Sequence, residues 1–525
     1  MAADWWTLWA SLVVCVAALC YYWWCRHRRH FARLGVPFLP PLPLVGNMLD
    51  LVLYSTSFTE IVKHLYDKFP THPYAGIFSF TFPVVMISDP ELISLVTVKD
   101  FDRFTDHMDF VTSDKGNPLL SSMLFSLKGK EWHDMSTTLS PAFTSMKMKN
   151  MFVLMSEIGQ QMVQHLTKET AQLKLSSEKE KVLTLELSDF FSRVTNDVIA
   201  TTAFGVKVDS LAVPNNEFFT MGRDLSNVNP LVSFGYFMSA STMEMLGIPF
   251  FSQKTVDFFS SLVMETIETR QKQGIVRHDM MHLMQARRGE LAPEEGHSNG
   301  AAEGSLKHLT DEDIAAQAML FFFAGFETVS TVLTFCCYLL ATNQDEQRRL
   351  QQEVDQLMDQ SGGQPSYDQV MSCQYLDMVI SETLRMYPPA PFLDRECVRA
   401  YSLPATDSCP GVELRPRDAI WIPVHGIHND PKYFPQPDTF SPERFTPENK
   451  QLIEPFTYFP FGSGPRICMA QSFALMEMKI VMLYLMSQFS VEVVDKTPVP
   501  MKLDPSNSVS VSMKGGAWLG IRQSS

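Results

Sequence analysis

Cys468 stands in the run PFGSGPRICMAQ, residues 460–471, a glycine- and proline-rich loop that leads into the apolar helical stretch SFALMEMKIVMLYLMSQF. A lone thiol there can serve as a metal ligand, a nucleophile or plain packing. Phe461, Gly464, Arg466 and Cys468 sit at the spacing F-x-x-G-x-R-x-C. The sulfur lies close to a helix N-terminus, where amide donors and the helix dipole favour thiolate over thiol. Gly464 lets the backbone approach something flat and large without a Cβ clash. Arg466 can neutralise an anionic group nearby. Such a loop suits a thiolate that donates electron density to an iron. A buried structural cysteine is the usual fate of a lone thiol, so the loop alone is only moderately specific.

Two further constellations bear on the choice. AGFETVS, residues 324–330, sits in the middle of a 28-residue apolar run, 314–341, whose only charge is Glu327. A carboxylate beside the Thr328 hydroxyl in such surroundings suggests proton handling. A mid-helix glycine, Gly325, points to a close approach or a local distortion. In SETLRMYPP, Glu382 and Arg385 are three apart and share a helix face. By themselves they read as an ordinary surface ion pair. FSPERF then supplies Arg444 in a proline-led turn, and two arginines on one buried glutamate make a network costly to desolvate but specific in geometry.

These groups need a large frame, and the composition provides one. The chain has 525 residues, 45% of them hydrophobic, enough for a sizeable core. A formal charge of −15 argues against a general nucleic-acid binder, which would carry a basic stripe. The nine cysteines show no CxxC pair and no zinc spacing, so they form no disulfide framework and the main body faces a reducing compartment. The 31 methionines and 38 phenylalanines read mostly as core, with a share available to line a deformable apolar pocket.

Along the chain, residues 5–24 carry no charge and are just long enough to span a bilayer as a helix. Asp4 precedes them and Arg26, Arg28, Arg29 and Arg33 follow, which places the N-terminus in the lumen and the rest in the cytosol. Without a basic n-region or a clear cleavage site, this reads as an uncleaved anchor rather than a signal peptide. Pro37, Pro40, Pro41 and Pro43 then give a stiff spacer. Residues 76–88 read as two strands with a turn near Pro83. Helical patterns dominate from 131 to 285, residues 290–305 read as a mobile loop, and Thr310 caps the next helix. Short strands return around 398–424 and in the alternating run 508–513. The fold class is mainly α with small β-sheets. Hydropathy accepts residues 314–341 as a second membrane span, but also as a buried central helix of about 40 Å. The residues leave both open.

In this order, the signals resemble the cytochrome P-450 family along nearly the whole chain. The carriers are the anchor with its proline hinge, AGFET at 324–328, ETLR at 382–385, PERF at 442–445 and FGSGPRIC at 461–468. LSPAFTS at 139–145 and YLLATN at 338–343 are similar to the microsomal group, with insect detoxification enzymes the nearer match. The resemblance implies an anchor over 1–33, a hinge over 34–49 and one catalytic domain over 50–525, with residues 314–341 as the central helix over a haem. It implies haem b with Cys468 as proximal thiolate ligand and with Phe461 and Gly464 beside it. Trp132, Arg395 and Arg466 would meet the propionates, and Ala324 and Gly325 would lie against the oxygen site. Thr328 with Glu327 would guide protons, and Glu382, Arg385 and Arg444 would be a structural triad.

The implied reaction is NADPH- and O₂-dependent insertion of one oxygen atom into an apolar substrate, a xenobiotic or an endogenous lipid or hormone. Electrons would come from NADPH–cytochrome P-450 reductase, helped by cytochrome b5, at the cytosolic face of the endoplasmic reticulum membrane. No GxGxxG follows a predicted strand, which fits a separate electron donor. Phe125, Phe323 and Phe392 are candidate substrate contacts, with core packing an equal claim. Two other readings stand beside this one. The segment YLDMVISETLRMYPP suggests a lipid-peroxide isomerase of the thromboxane-synthase type. Three departures from the family pattern suggest a non-catalytic haem- or lipid-binding protein. Ser136 stands four after Trp132 in place of arginine, Arg417 replaces a turn glycine, and Ala470 replaces the glycine two after the ligand. They imply a weaker hold on haem rather than a different group, with His133 or a nearby lysine standing in for the missing arginine.

Overall fold

The computed structural model describes residues 2–108, 118–176, 182–227, 229–275, 281, 284, 309–507 and 511–524. The expected loop at 290–305 lies outside the described residues, as do residues 508–510 of the alternating run. The described chain is mainly helical with three small sheets. It divides into two compact units. One comprises residues 1–108, 390–433 and 454–466, and the other residues 109–389, 434–453 and 467–525.

The first unit is built on a four-stranded sheet in the order Tyr74–Ser79, Phe82–Ile87, Ala419–Ile422, Leu393–Glu396. Its outer pairs are antiparallel and its middle pair, Val84 on Ala419, is parallel. The hairpin turns at Phe80 and Thr81 rather than at Pro83, because Phe80 takes the left-handed φ of 53° and Pro83 already sits in the second strand opposite Phe78. The helix Ala2–Leu34 ends against this sheet, with Phe31 buried where a Cβ on Gly76 would otherwise stand. Toward its start the same helix exposes Trp9, Val14, Tyr21 and Tyr22. Arg417 has a φ of 77°, a conformation that costs a non-glycine residue roughly 1–2 kcal/mol. Its turn is closed all the same, since Arg417 N donates to the Cys397 carbonyl at 2.8 Å and Arg415 N to the Asp418 carboxylate at 2.7 Å.

The second unit packs around the helix Asp311–Thr342. Thr310 starts it with a capping box, its hydroxyl accepting from Asp313 N at 3.1 Å while the Asp313 carboxylate accepts from Thr310 N at 3.0 Å. The helix is apolar enough to cross a membrane, but most of its length is buried inside the unit, so it is a core helix. Gly325 sets its approach to the helix Leu187–Ile199: a Cβ there would stand 2.9 Å from Ile199 Cδ1. Phe322 and Phe326 stack at 5.2 Å, and Phe204, Phe218 and Phe259 close around Phe322. A three-stranded sheet, Leu183–Glu186, Trp518–Gln523 and Phe489–Glu492, borders this core.

The helix Gln471–Gln488 is buried along most of its length and carries Glu477, which is 0% exposed with no hydrogen-bond partner for either carboxylate oxygen. Burial pushes this carboxyl well above the usual carboxylate range. When pH rises past the unfolded-state value, the unfolded chain releases the proton and the folded chain keeps it, so stability falls. Glu477→Gln removes that loss. Its stability relative to the wild type should grow as pH rises above the usual carboxylate range, with Tm following, at a limiting slope of about 1.4 kcal/mol per pH unit. Thermal melts from pH 5 to pH 8 check this, and a margin independent of pH would contradict it.

Candidate functional site

In the second unit, Cys468 ends the loop just before the helix Gln471–Gln488, whose N-cap is Ala470. The Cys468 carbonyl accepts from Gln471 N at 3.3 Å, and the Ala470 amide donates to the thiol. Ala470 has φ −92°, which any residue adopts, so alanine in place of glycine brings no backbone strain here. Burial pushes the Cys468 thiol up and the Ala470 amide offsets only part of that rise. The helix-terminal amide thus favours the thiolate while the surrounding protein atoms oppose it. A cysteine in this setting is deprotonated by a metal cation that it ligates. Neighbouring atoms crowd the thiol, yet the residue keeps exposed surface through which such an ion has access.

On the helix Asp311–Thr342, only Ala324 and Thr328 are exposed between residues 314 and 341. The Thr328 hydroxyl donates to the Ala324 carbonyl at 2.6 Å. Glu327, one residue earlier and about 100° around the helix, lines a different space. That space is an open cleft of about 380 Å³ shared with Asp189, Ser192, Arg223, Asp504 and Ser506. Phe323 is half-buried with its ring 6.1 Å from that of Phe251, and Phe125 is 49% exposed. Trp132 is buried on the helix Gly129–Leu139, Ser136 brings no charge to that helix, and His133 is exposed.

The same unit brings Glu382, Arg385 and Arg444 together. Glu382 and Arg385 are fully buried, with Arg385 Nε donating to Glu382 Oε2 at 2.7 Å and an Arg385 Nη to Oε1 at 2.9 Å. Arg444 Nε and the Ser441 amide also donate to Oε1, at 3.2 and 3.1 Å.

In the first unit, Arg395 lies on the strand Leu393–Glu396 and is 1% exposed. Its two Nη groups donate to the Asp394 carbonyl at 2.7 Å and the Ser463 carbonyl at 3.3 Å, while its Nε has no partner. Arg466, its side chain 3% exposed, donates from Nε to the Thr105 carbonyl at 2.7 Å and lies 3.8 Å from Asp106 Oδ1. Burial lowers both guanidinium pKa values, Arg466 to about 9, with Asp106 and Asp394 pulling the other way. Sequence reasoning missed His107, whose Nδ1 is 2.9 Å from Asp394 Oδ1. Only the register of the Asp394 strand brings these two together, so no local signal could have found the pair.

Phe461 is half-buried. Gly464 has φ 74°, and a Cβ on it would overlap the Thr97 carbonyl. What this glycine admits is a neighbouring backbone, so the loop geometry by itself says nothing of a flat ligand. Phe392 packs on Trp421 at 4.3 Å and Phe58 at 5.5 Å.

The residues present fit a haem. An unpartnered, buried guanidinium Nε beside a second buried arginine suits a carboxylate. An exposed thiol in a loop suits an iron, and a mostly buried helix whose exposed residues between 314 and 341 are Ala324 and Thr328 suits a small reacting molecule. Residues 36–518 match the model of the cytochrome P-450 family. Over 530 residues the chain is 47% identical to cytochrome P-450 9e2 of Blattella germanica, covering 99% of this chain and 98% of that one. It is 38% identical over 523 residues to the probable cytochrome P-450 9f2 of Drosophila melanogaster, 98% of each. To cytochrome P-450 6k1 of Blattella germanica it is 35% identical over 518 residues, covering 96% and 94%. With its mainly helical fold and small sheets, the chain therefore belongs to the cytochrome P-450 family of haem-thiolate monooxygenases.

Proposed function

We propose that this chain is a microsomal monooxygenase that inserts one oxygen atom of O₂ into apolar substrates, xenobiotics or endogenous lipids or hormones. Electrons come from NADPH through a membrane-bound NADPH–cytochrome P-450 reductase, with cytochrome b5 as a second donor. The observation that carries this reading is the Cys468 thiol, accessible and amide-supported in the loop FGSGPRIC that resembles the family's ligand loop. Haem b, when bound, supplies the iron that activates dioxygen, with Cys468 as its thiolate ligand. By the family resemblance, Arg395 and Arg466, and separately Trp132, would meet its propionates, and Phe461 would border the ligand loop.

Glu327 faces the hydrophilic cleft and takes protons from the water there. The Thr328 hydroxyl spends its own hydrogen on the Ala324 carbonyl, so its lone pairs are left to accept from a water on the exposed side of the helix. Ala324, one turn before Thr328, keeps that side small, while Gly325 serves the packing of this helix on Ile199. The helix Ala2–Leu34, with exposed Trp9, Val14, Tyr21 and Tyr22 and the arginines that follow residue 24, anchors the catalytic domain to the cytosolic face of the endoplasmic reticulum.

In the reduced, CO-treated protein, Cys468→Ala should abolish the red-shifted Soret band of a haem thiolate, and survival of that band would remove Cys468 as ligand. Thr328→Ala should keep the band while product formation falls by about 10²-fold and NADPH oxidation continues uncoupled. Product and peroxide assays with the reductase check this, and unchanged coupling would remove Thr328 from proton handling.

A further inference from the structure

We propose that Gln317 is a positioning residue: it fixes the wall that a bulky apolar ligand meets at the exposed face of the central helix. The inference rests on the haem reading above. Gln317 lies on the helix Asp311–Thr342 and is 0% exposed. Its Nε2 donates to the Ser122 carbonyl at 2.7 Å, and its Oε1 accepts from the Leu124 amide at 2.9 Å. One side chain thus grips the backbone on both sides of Met123, which is itself buried. The Ser330 and Thr334 hydroxyls, also buried on this helix, bond back to carbonyls of the helix itself. Gln317 instead directs both amide groups to a segment 193 and 195 residues away.

That segment depends on the grip. Pro118–Ser122 is a single helical turn, and the Ser122 carbonyl is among those that a helix end leaves open. Leu119, Leu120 and Leu127 are buried and seat the segment on the core. Apolar seating is not directional, whereas two hydrogen bonds from one planar amide are. A buried amide that lost either partner would be costly, so the pair of bonds fixes both the place and the register of the segment.

Its place matters because of what shares the helix face. Residues 317, 321, 324 and 328 follow at steps of four, three and four, so they form one stripe. The stripe is buried at Gln317 and half-buried at Phe321, whose ring lies 5.9 Å from that of Phe143. It emerges at Ala324 and Thr328. From Gln317 to Ala324 is about 10 Å along the helix. Phe125, next in sequence to the gripped Leu124 amide, is 49% exposed. A ligand seated at Ala324 and large enough to extend that far along the helix meets the segment, and a small one does not. Holding Phe125 in place beforehand removes the ordering that such a ligand would otherwise have to impose.

The test compares two azoles that bind haem iron through nitrogen, imidazole and the far larger clotrimazole, by spectral titration of the purified full-length ferric holoenzyme. Gln317→Met keeps an unbranched side chain of similar length and removes both bonds. It should weaken clotrimazole binding about tenfold, or about 1.4 kcal/mol, and shift the imidazole Kd by less than about twofold. Phe125→Ala should reproduce the clotrimazole loss, and adding Gln317→Met to it should bring no further loss. Deuterium uptake by residues 118–127 should rise in Gln317→Met, a readout independent of haem. Unchanged clotrimazole affinity, equal losses for the two azoles, or additive losses in the double variant would overturn the proposal. Should Gln317→Met fail to fold, Phe125→Ala decides alone: a tenfold clotrimazole loss supports the proposal and an unchanged affinity overturns it. A wild type without the CO-reduced band would overturn the haem reading itself, whereas unchanged deuterium uptake in Gln317→Met would overturn the grip alone.

Discussion

Glu382 is a carboxylate taken wholly out of water, and removing an ion from water costs several kcal/mol unless its oxygens are met. Two guanidiniums and the Ser441 amide meet them. Arg385 in turn donates to the Pro437 carbonyl at 2.7 Å and lies over the Phe434 ring, so the helix Gln374–Met386 is tied to the segment around residues 434–445. The other end of that helix is held by a second carboxylate. Its N-cap, Cys373, offers no side-chain bond. Glu353 reaches in from the helix Gln344–Gln360 and accepts from the Gln374, Tyr375 and Leu376 amides, each at 2.9 Å. Donors that a helix start leaves open are thus satisfied by a neighbour rather than by the chain itself. The geometry of this unit rests on carboxylates whose partners come from several segments at once.

The helix Asp311–Thr342 shows the opposite economy. Its interior is mostly apolar, so its few irregularities stand out. Gly325 gives up roughly 1 kcal/mol of helix stability relative to alanine and admits Ile199 in return. Ala324 and Thr328 interrupt an otherwise buried surface on one side, while Glu327 opens on a hydrophilic cleft on another. Adjacent residues on a helix point about 100° apart, and this offset lets one short motif face two environments.

How much of this was legible follows from where the partners sit in the chain. The Glu382–Arg385 pair and the Thr310 capping box are local, three residues apart, and both could be read as spacing. Gly325 was legible as a close approach because a mid-helix glycine has few other uses. Gly464 was read for a large flat ligand, but the Thr97 carbonyl already requires it. The turn at Phe80 was misplaced at Pro83, since a proline near the start of a strand imitates a turn signal. The amide support at Cys468 was legible from its place just before a helix, whereas the crowding that opposes it comes from segments far along the chain. His107 and Asp394 are 287 residues apart, and no periodicity connects them.

The three departures from the family pattern also separate once their geometry is known. Ala470 is neutral, since its backbone is ordinary and its amide still serves Cys468. Arg417 is strained but contained, because the bonds of its turn hold the left-handed conformation in place. Ser136 differs in kind: it removes a charge, and no rearrangement of backbone restores one. A missing cation can be replaced only by another, and buried arginines that already face carboxylates have little surplus to give.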